Sequence, residues 1–230
     1  MSFEHTYLLD LVKKKANLSD SLQELTQRVS ELESAKAKMS QGLSIMLEGL
    51  KMAYKDIDLN DENIKDTPSR MARAFIEVCS GLGVAEEEIF STTFPAPGSQ
   101  EAIILTNIEY TSICSHHFFP FYGHAHVGYV PNHSGKVLGL SKLARVVDAY
   151  ANRPQLQERM GHQIMESINR NLNPHGVIVI LEGKHGCLNC RGAKKKNSVM
   201  KTICTKGVYS ENKILRDEFI QFTQIKESIR

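Results

Sequence analysis

The chain has 230 residues, with 41% hydrophobic and 23% charged content, the proportions of a globular protein with a sizeable core. A net charge of +2 supplies no basic excess for nucleic acid, and no run approaches the roughly 20 apolar residues that span a bilayer. The opening residues carry Glu4 and Asp10 and lack a signal peptide's apolar core, so a cytoplasmic location is expected.

In chain order, residues 1–40 read as helix. Leu18, Leu22, Leu25, Val29 and Leu32 recur at intervals of four and three, a heptad seam with Glu, Gln, Lys and Arg around it. The period fits a helix packed on its own domain and a self-associating helix equally well. Gly42 is expected to loosen a junction before a second helix over 43–54. Asp66-Thr67-Pro68 starts a further helix, which runs through Met71, Phe75 and Val78 to a stop at Gly81 and Gly83. Residues 94–100 read as a loop. The β-branched run 102–114 and the alternating run 124–131 predict a hairpin around a loop at 115–123. In the second run His124, His126 and Gly128 fall opposite Ala125, Val127 and Tyr129. Helices over 140–151 and 155–172, a strong strand over 175–183, a weaker one over 199–209 and a helix over 214–225 follow. Strands and helices come in pairs, β-β-α-α-β-β-α, which predicts an α+β fold with an antiparallel sheet. A helical N-terminal extension over 1–42 and a single domain over 43–230, helical to residue 93, are expected.

The five cysteines are an odd number, and without a secretion signal they argue against a disulfide framework. Of nine histidines, four fall between His116 and His126. Cys114-Ser115-His116-His117 is a compact pair of donors, and zinc accepts both thiolate and imidazole. His185-Gly186-Cys187-Leu188-Asn189-Cys190, directly after a strand, offers further donors. If Cys114, His117, Cys187 and Cys190 all bind, the shell is closed and the site structural. If only Cys114, His117 and Cys187 bind, a position stays open for water, whose pKa zinc lowers towards about 7. His116 and His185 would then stand beside the metal as acid–base groups. Spacing alone leaves both versions open.

Five motifs resemble those of GTP cyclohydrolase I, in that family's order. They are Asp66-Thr67-Pro68-Ser69-Arg70; Cys114 to His117 with Pro120, Phe121, Gly123, His126 and Tyr129-Val130-Pro131; Gly139-Leu140-Ser141-Lys142-Leu143-Ala144-Arg145; Arg153-Pro154-Gln155-Leu156-Gln157-Glu158; and His185-Gly186-Cys187 with Arg191-Gly192. The resemblance spans about residues 43–225.

The resemblance implies zinc held by Cys114, His117 and Cys187, with Cys190 where the family usually has methionine. It implies opening of the GTP imidazole ring at C8, release of formate and formation of 7,8-dihydroneopterin triphosphate, the first step of tetrahydrofolate, pterin or 7-deazaguanine synthesis. His185 falls on the family's acid–base position, with His116 assisting. Glu158, with Gln157 beside it, falls at the purine edge, where a carboxylate accepts from the N1–H and 2-amino group. Ser141 falls near the ribose and phosphates. Lys142, Arg145, Arg191 and Arg70 fall on triphosphate positions, where guanidinium forks and an ammonium suit phosphate oxygens. The implied architecture is the tunnelling fold over 94–230, a four-stranded antiparallel sheet backed by two helices. The implied assembly is a homodecamer of two pentamers with sites between subunits, where Arg70 would serve a neighbour.

Three further departures from the family pattern stand out. Ser115 replaces a usual Glu, Met200 and Lys201 replace small hydroxyl residues, and Lys194-Lys195-Lys196 is unusually basic. The departures leave room for a paralogue acting on another guanine nucleotide. A closed structural zinc site and a non-catalytic scaffold are rival expectations of a different class. The related nitrile reductase is a third, but its catalytic thiol and NADPH motif find no counterpart in this sequence.

Overall fold

The computed structural model describes residues 3–96, 98, 101–133 and 135–224, with side chains described from residue 22 onward. They form two compact units, residues 1–77 and 78–230. No helix among the described residues is long and apolar enough to cross a membrane.

The first unit is helical. Helix α1 (Phe3–Ala53) runs unbroken for 51 residues, so the junction expected at Gly42 does not form. A mid-helix glycine costs only about 1 kcal/mol against alanine, and the Leu, Met, Gln and Glu residues around it favour helix. The heptad position Leu18 lies outside the described side chains. Ser44 and Leu47 of α1 line a small cavity with Leu59, Ile64 and Pro68 from the segment that follows it. Asp58 and Asp61 fix the connecting turns by accepting from the Asn60 and Asn63 amides at 2.9 and 2.7 Å. Helix α2 (Thr67–Val78) follows.

The second unit opens with a 3-10 turn (Ser80–Gly83) and α3 (Glu86–Phe90). Strands β1 (Thr93–Pro95), β2 (Ile103–Cys114), β3 (Pro120–Val130) and β4 (Lys136–Leu138) lead to α4 (Leu140–Ala151). Then come β5 (Pro154–Gln155), α5 (Gln157–Leu172), β6 (Gly176–His185), α6 (Gly186–Asn189), β7 (Met200–Gly207), α7 (Val208–Glu211) and α8 (Lys213–Gln224). Residue 225, expected in the last helix, lies outside the described residues.

The main sheet has the order β5-β2-β3-β6-β7, and β1 pairs with β4 apart from it. Each of the four long strands is antiparallel to its long neighbours, while the two-residue β5 runs parallel to β2. This is the expected mixed α+β fold with a helical N-terminal region. Several boundaries differ from the sequence reading: residues 94 and 95, read as loop, lie in β1, and residues 208 and 209, read as strand, lie in α7. Strand β3 starts at Pro120, because Phe121 already faces the core at 0% exposure, so the hairpin loop is shorter than expected. Helix α5 starts at Gln157 because Pro154 and Gln155 extend beside Ile113 and Cys114 instead.

The unbroken apolar run of β6 is explained by burial on both faces. Val177, Val179 and Leu181 join the large core under α4 and α5. Ile178 and Ile180 point the other way, into a smaller core with Val130, Tyr209 and Phe219. Gly128 makes the second core possible, since a Cβ there would lie 2.5 Å from the Phe219 ring. Strand β2 carries a bulge between Leu105 and Ile108, with Asn107 in a left-handed conformation at φ 56°. The Asn107 amide donates to His126 Nδ1 at 3.3 Å, so this buried histidine completes the bulge.

Candidate metal centre and its surroundings

The C-terminal end of β2, the start of β3 and the end of β6 meet at one end of the sheet. Cys114 ends β2, His117 lies in the β2–β3 loop and Cys187 lies in the first turn of α6, just past β6. Their donor atoms lie within 4.8 Å of one another, a group that could hold a metal ion. The two sulfurs are 3.9 Å apart. The loop is tight: Cys114 N donates to Phe119 O and Phe118 N to Cys114 O, at 2.9 and 2.8 Å. Phe118 takes a left-handed backbone at φ 56°, unusual for a bulky side chain and costing about 1–2 kcal/mol. That turn presents His117 next to Cys114. Burial raises the Cys187 thiol above its ordinary value, the neighbouring Cys114 adds to this, and the Arg191 charge pulls the other way. Bound metal would reverse the balance, because a coordinating thiol is deprotonated. Cys190 is not in the group; its thiol donates to Gly186 O at 2.7 Å.

His185 ends β6 and is held on two sides. Its ring stacks on Phe121, with centroids 4.4 Å apart and planes at 6°. Its Nε2 lies 2.9 Å from Gln157 Oε1. Gln157 is 1% exposed, at the start of α5. Its amide nitrogen donates to Leu181 O and Met200 O, both at 3.1 Å, and to Thr202 Oγ1 at 3.3 Å. The amide nitrogen is therefore committed to β6 and β7, and the oxygen must face the imidazole. A neutral His185 then carries its hydrogen on Nε2 and leaves Nδ1 as a proton acceptor. Gly183 makes room for this contact, since a Cβ there would sit 2.3 Å from Gln157 Oε1. Burial lowers the His185 pKa below the ordinary imidazole value, and the charge of Glu158 opposes that shift. His116 is exposed in the loop, its ring edge-on to His117 at 6.2 Å.

The other residues singled out in the sequence distribute as follows. Glu158 is exposed in the first turn of α5, where a negative side chain suits the helix dipole. Ser141 is exposed in the first turn of α4. Lys142 and Arg145 line a cavity of about 320 Å³ together with Ser80, Glu88, Asp148 and Asn152. Lys142 Nζ also donates to Glu88 O at 3.2 Å. Arg191 is exposed just past α6, close enough for its charge to act on Cys187. Arg70 belongs to the first unit, where Nη2 donates to Asn63 O at 2.6 Å and Thr67 Oγ1 at 3.1 Å.

Sequence reasoning missed Phe121 and Gly183 as supports of His185. It also missed Arg159, which donates to Ser115 Oγ at 3.2 Å and to Gln155 Oε1 at 2.9 Å. The one available signal was Gly183, which follows the otherwise apolar run of β6.

The sequence profile of GTP cyclohydrolase I matches residues 47–224. Among curated proteins, GTP cyclohydrolase 1 of Brevibacillus brevis is 42% identical over 183 residues, covering 80% of this chain and 94% of that protein. GTP cyclohydrolase 1 of Bacillus subtilis is 44% identical over 164 residues, covering 71% of this chain and 85% of its own length. GTP cyclohydrolase 1 of Streptomyces coelicolor is 46% identical over 150 residues, 65% of this chain and 74% of that one. The match takes in the donor group, the histidine held by Gln157 and the cavity beside Lys142. The chain belongs to the GTP cyclohydrolase I family.

Proposed function

We propose that this chain opens the imidazole ring of GTP at C8, releases formate and forms 7,8-dihydroneopterin triphosphate. The observation that carries this reading is the three-donor group of Cys114, His117 and Cys187 at the same end of the sheet as His185. Two thiols and one imidazole match the donor preferences of zinc, and three protein ligands leave a position open. The bond from Cys190 to Gly186 O supports the open arrangement over a closed shell of four. Zinc held there supplies Lewis acidity and a nucleophilic water at neutral pH.

The chain's own residues supply the rest. His185, with Nε2 fixed by Gln157, exchanges protons at Nδ1 as the ring opens. His116 assists from the loop. Glu158 accepts from the guanine edge, and its place near His185 fits a purine lying between the two. Ser141, Lys142, Arg145 and Arg191 receive the ribose and triphosphate. Gln157 belongs to the same site, and its burial favours support of His185 over direct contact with guanine. Arg70 serves the phosphates of a neighbouring subunit in a decamer of two pentamers built on the tunnelling fold. The half-exposed Ile203 on edge strand β7 supports sheet-to-sheet association.

A His185→Ala variant tests the assignment. It is expected to retain zinc and to lose formate release by about 100-fold or more, the usual worth of an acid–base group. Unchanged turnover would remove His185 from the chemistry.

A further inference from the structure

The heptad seam of α1 faces outward along residues 22–32 and again at Met46 and Leu50, while Lys36, Met39 and Leu43 between them are half-buried. Leu22, Leu25 and Val29 are 59%, 59% and 60% exposed, and Leu32 is 40% exposed. Farther along the helix, Met46 and Leu50 are exposed as well. With Leu22 at position a, Val29, Leu43 and Leu50 also fall at a, and Leu25, Leu32, Met39 and Met46 fall at d. Across residues 22–50 the one polar seam position is Lys36. A helix packed on a globular body keeps its apolar residues near the 3.6-residue period, whereas a sustained seven-residue repeat suits a supercoiled partner helix. The cavity within the first unit lies against another face of α1. Ser44, Leu47 and Glu48 line the cavity against Leu59, Ile64 and Pro68, and they occupy positions b, e and f.

The flanking charges select the partner and its direction. Arg28 occupies a g position and Glu33 the e position five residues later. In a parallel, in-register pair these two face each other across the seam, once on each side. In an antiparallel pair g meets g and e meets e, and no opposite charges in residues 22–50 would be brought together. Val29 at a with Leu32 at d favours two strands, and Lys36 at a disfavours slipped registers that would bury it against leucine.

We propose that residues 22–50 of α1 form a parallel, two-stranded coiled coil with the same helix of a second copy of this chain. The inference stands independently of the catalytic reading. Photo-cross-linking of the full chain tests it, with p-benzoylphenylalanine in place of Leu25 on the seam or Gln27 on the outer face. Leu25 is expected to give a covalent dimer joined between equivalent segments around residue 25, and Gln27 about ten-fold less product. Arg28→Glu should lower the Leu25 yield about three-fold, and Arg28→Glu combined with Glu33→Arg should restore it. Equal yields from the two positions would overturn the proposal. So would links from Leu25 that run to residues 78–224 or join the segments head to tail.

Discussion

Gln157 decides how His185 can act. Its amide spans β6 and β7 and turns its oxygen to the imidazole, so one buried side chain couples the sheet to the acid–base group. Gln157→Leu is expected to lower kcat about ten-fold or more with KM little changed and metal retained, because it frees the ring without touching the donors. It should also cost about 1–3 kcal/mol of stability, since two carbonyls lose a donor. Steady-state kinetics with metal analysis reads the first effect, and chemical denaturation the second. Spacing offered Cys114, His117, Cys187 and Cys190 as candidate donors, because Cys-x-x-His and further cysteines after a strand restrict the chemistry, but it was the family resemblance that singled out the set of three. The role of Gln157 was not legible, because in sequence it is a polar residue at a helix start beside Glu158. Only the paired β6–β7 backbone supplies the partners that turn it inward.

At the scale of elements, the alternation in β3 announced which residues face the large core, and Ala125, Val127 and Tyr129 lie there. The second core was hidden, because β6 is apolar without alternation from Val177 to Leu181 and its period cannot show that two bodies cover it. Gly128 is the seat of Phe219 in that core. Gly128→Ala should destabilise the second unit by about 1–3 kcal/mol, the usual cost of overpacking, since the fully buried Phe219 ring has little room to withdraw. Chemical denaturation followed by far-ultraviolet circular dichroism measures it. Phe219→Leu in the same chain should recover part of the loss. The continuity of α1 through Gly42 was misread for the opposite reason: local propensity was weighed too heavily against neighbours that all favour helix.

For the whole molecule, one polar cluster joins α3 to the helices that back the sheet. Glu86 accepts hydrogen bonds from Tyr150, from Arg170 at 2.6 Å and from Asn171 at 3.2 Å. Burial works to raise its pKa, but those bonds and the Arg170 charge outweigh it and bring the carboxyl down to about 2 from an ordinary 4.5. A depressed folded value stabilises the fold above the ordinary pKa, and that contribution is lost as pH falls from about 5 towards 2. Glu86→Gln should cost about 1–2 kcal/mol at neutral pH, a figure discounted because Arg170 is largely exposed. The gap between the two proteins should close on acidification, as urea titrations at a series of pH values would show. A gap independent of pH would mean that the carboxylate charge is not what stabilises the cluster. Hydrolysis of GTP at C8, on which the functional assignment stands, is decided by incubating the zinc-loaded protein with GTP labelled at that carbon. The label is expected to leave as formate while pterin absorbance appears in equal amount. Zinc bound in full with the label retained in the purine would contradict the assignment.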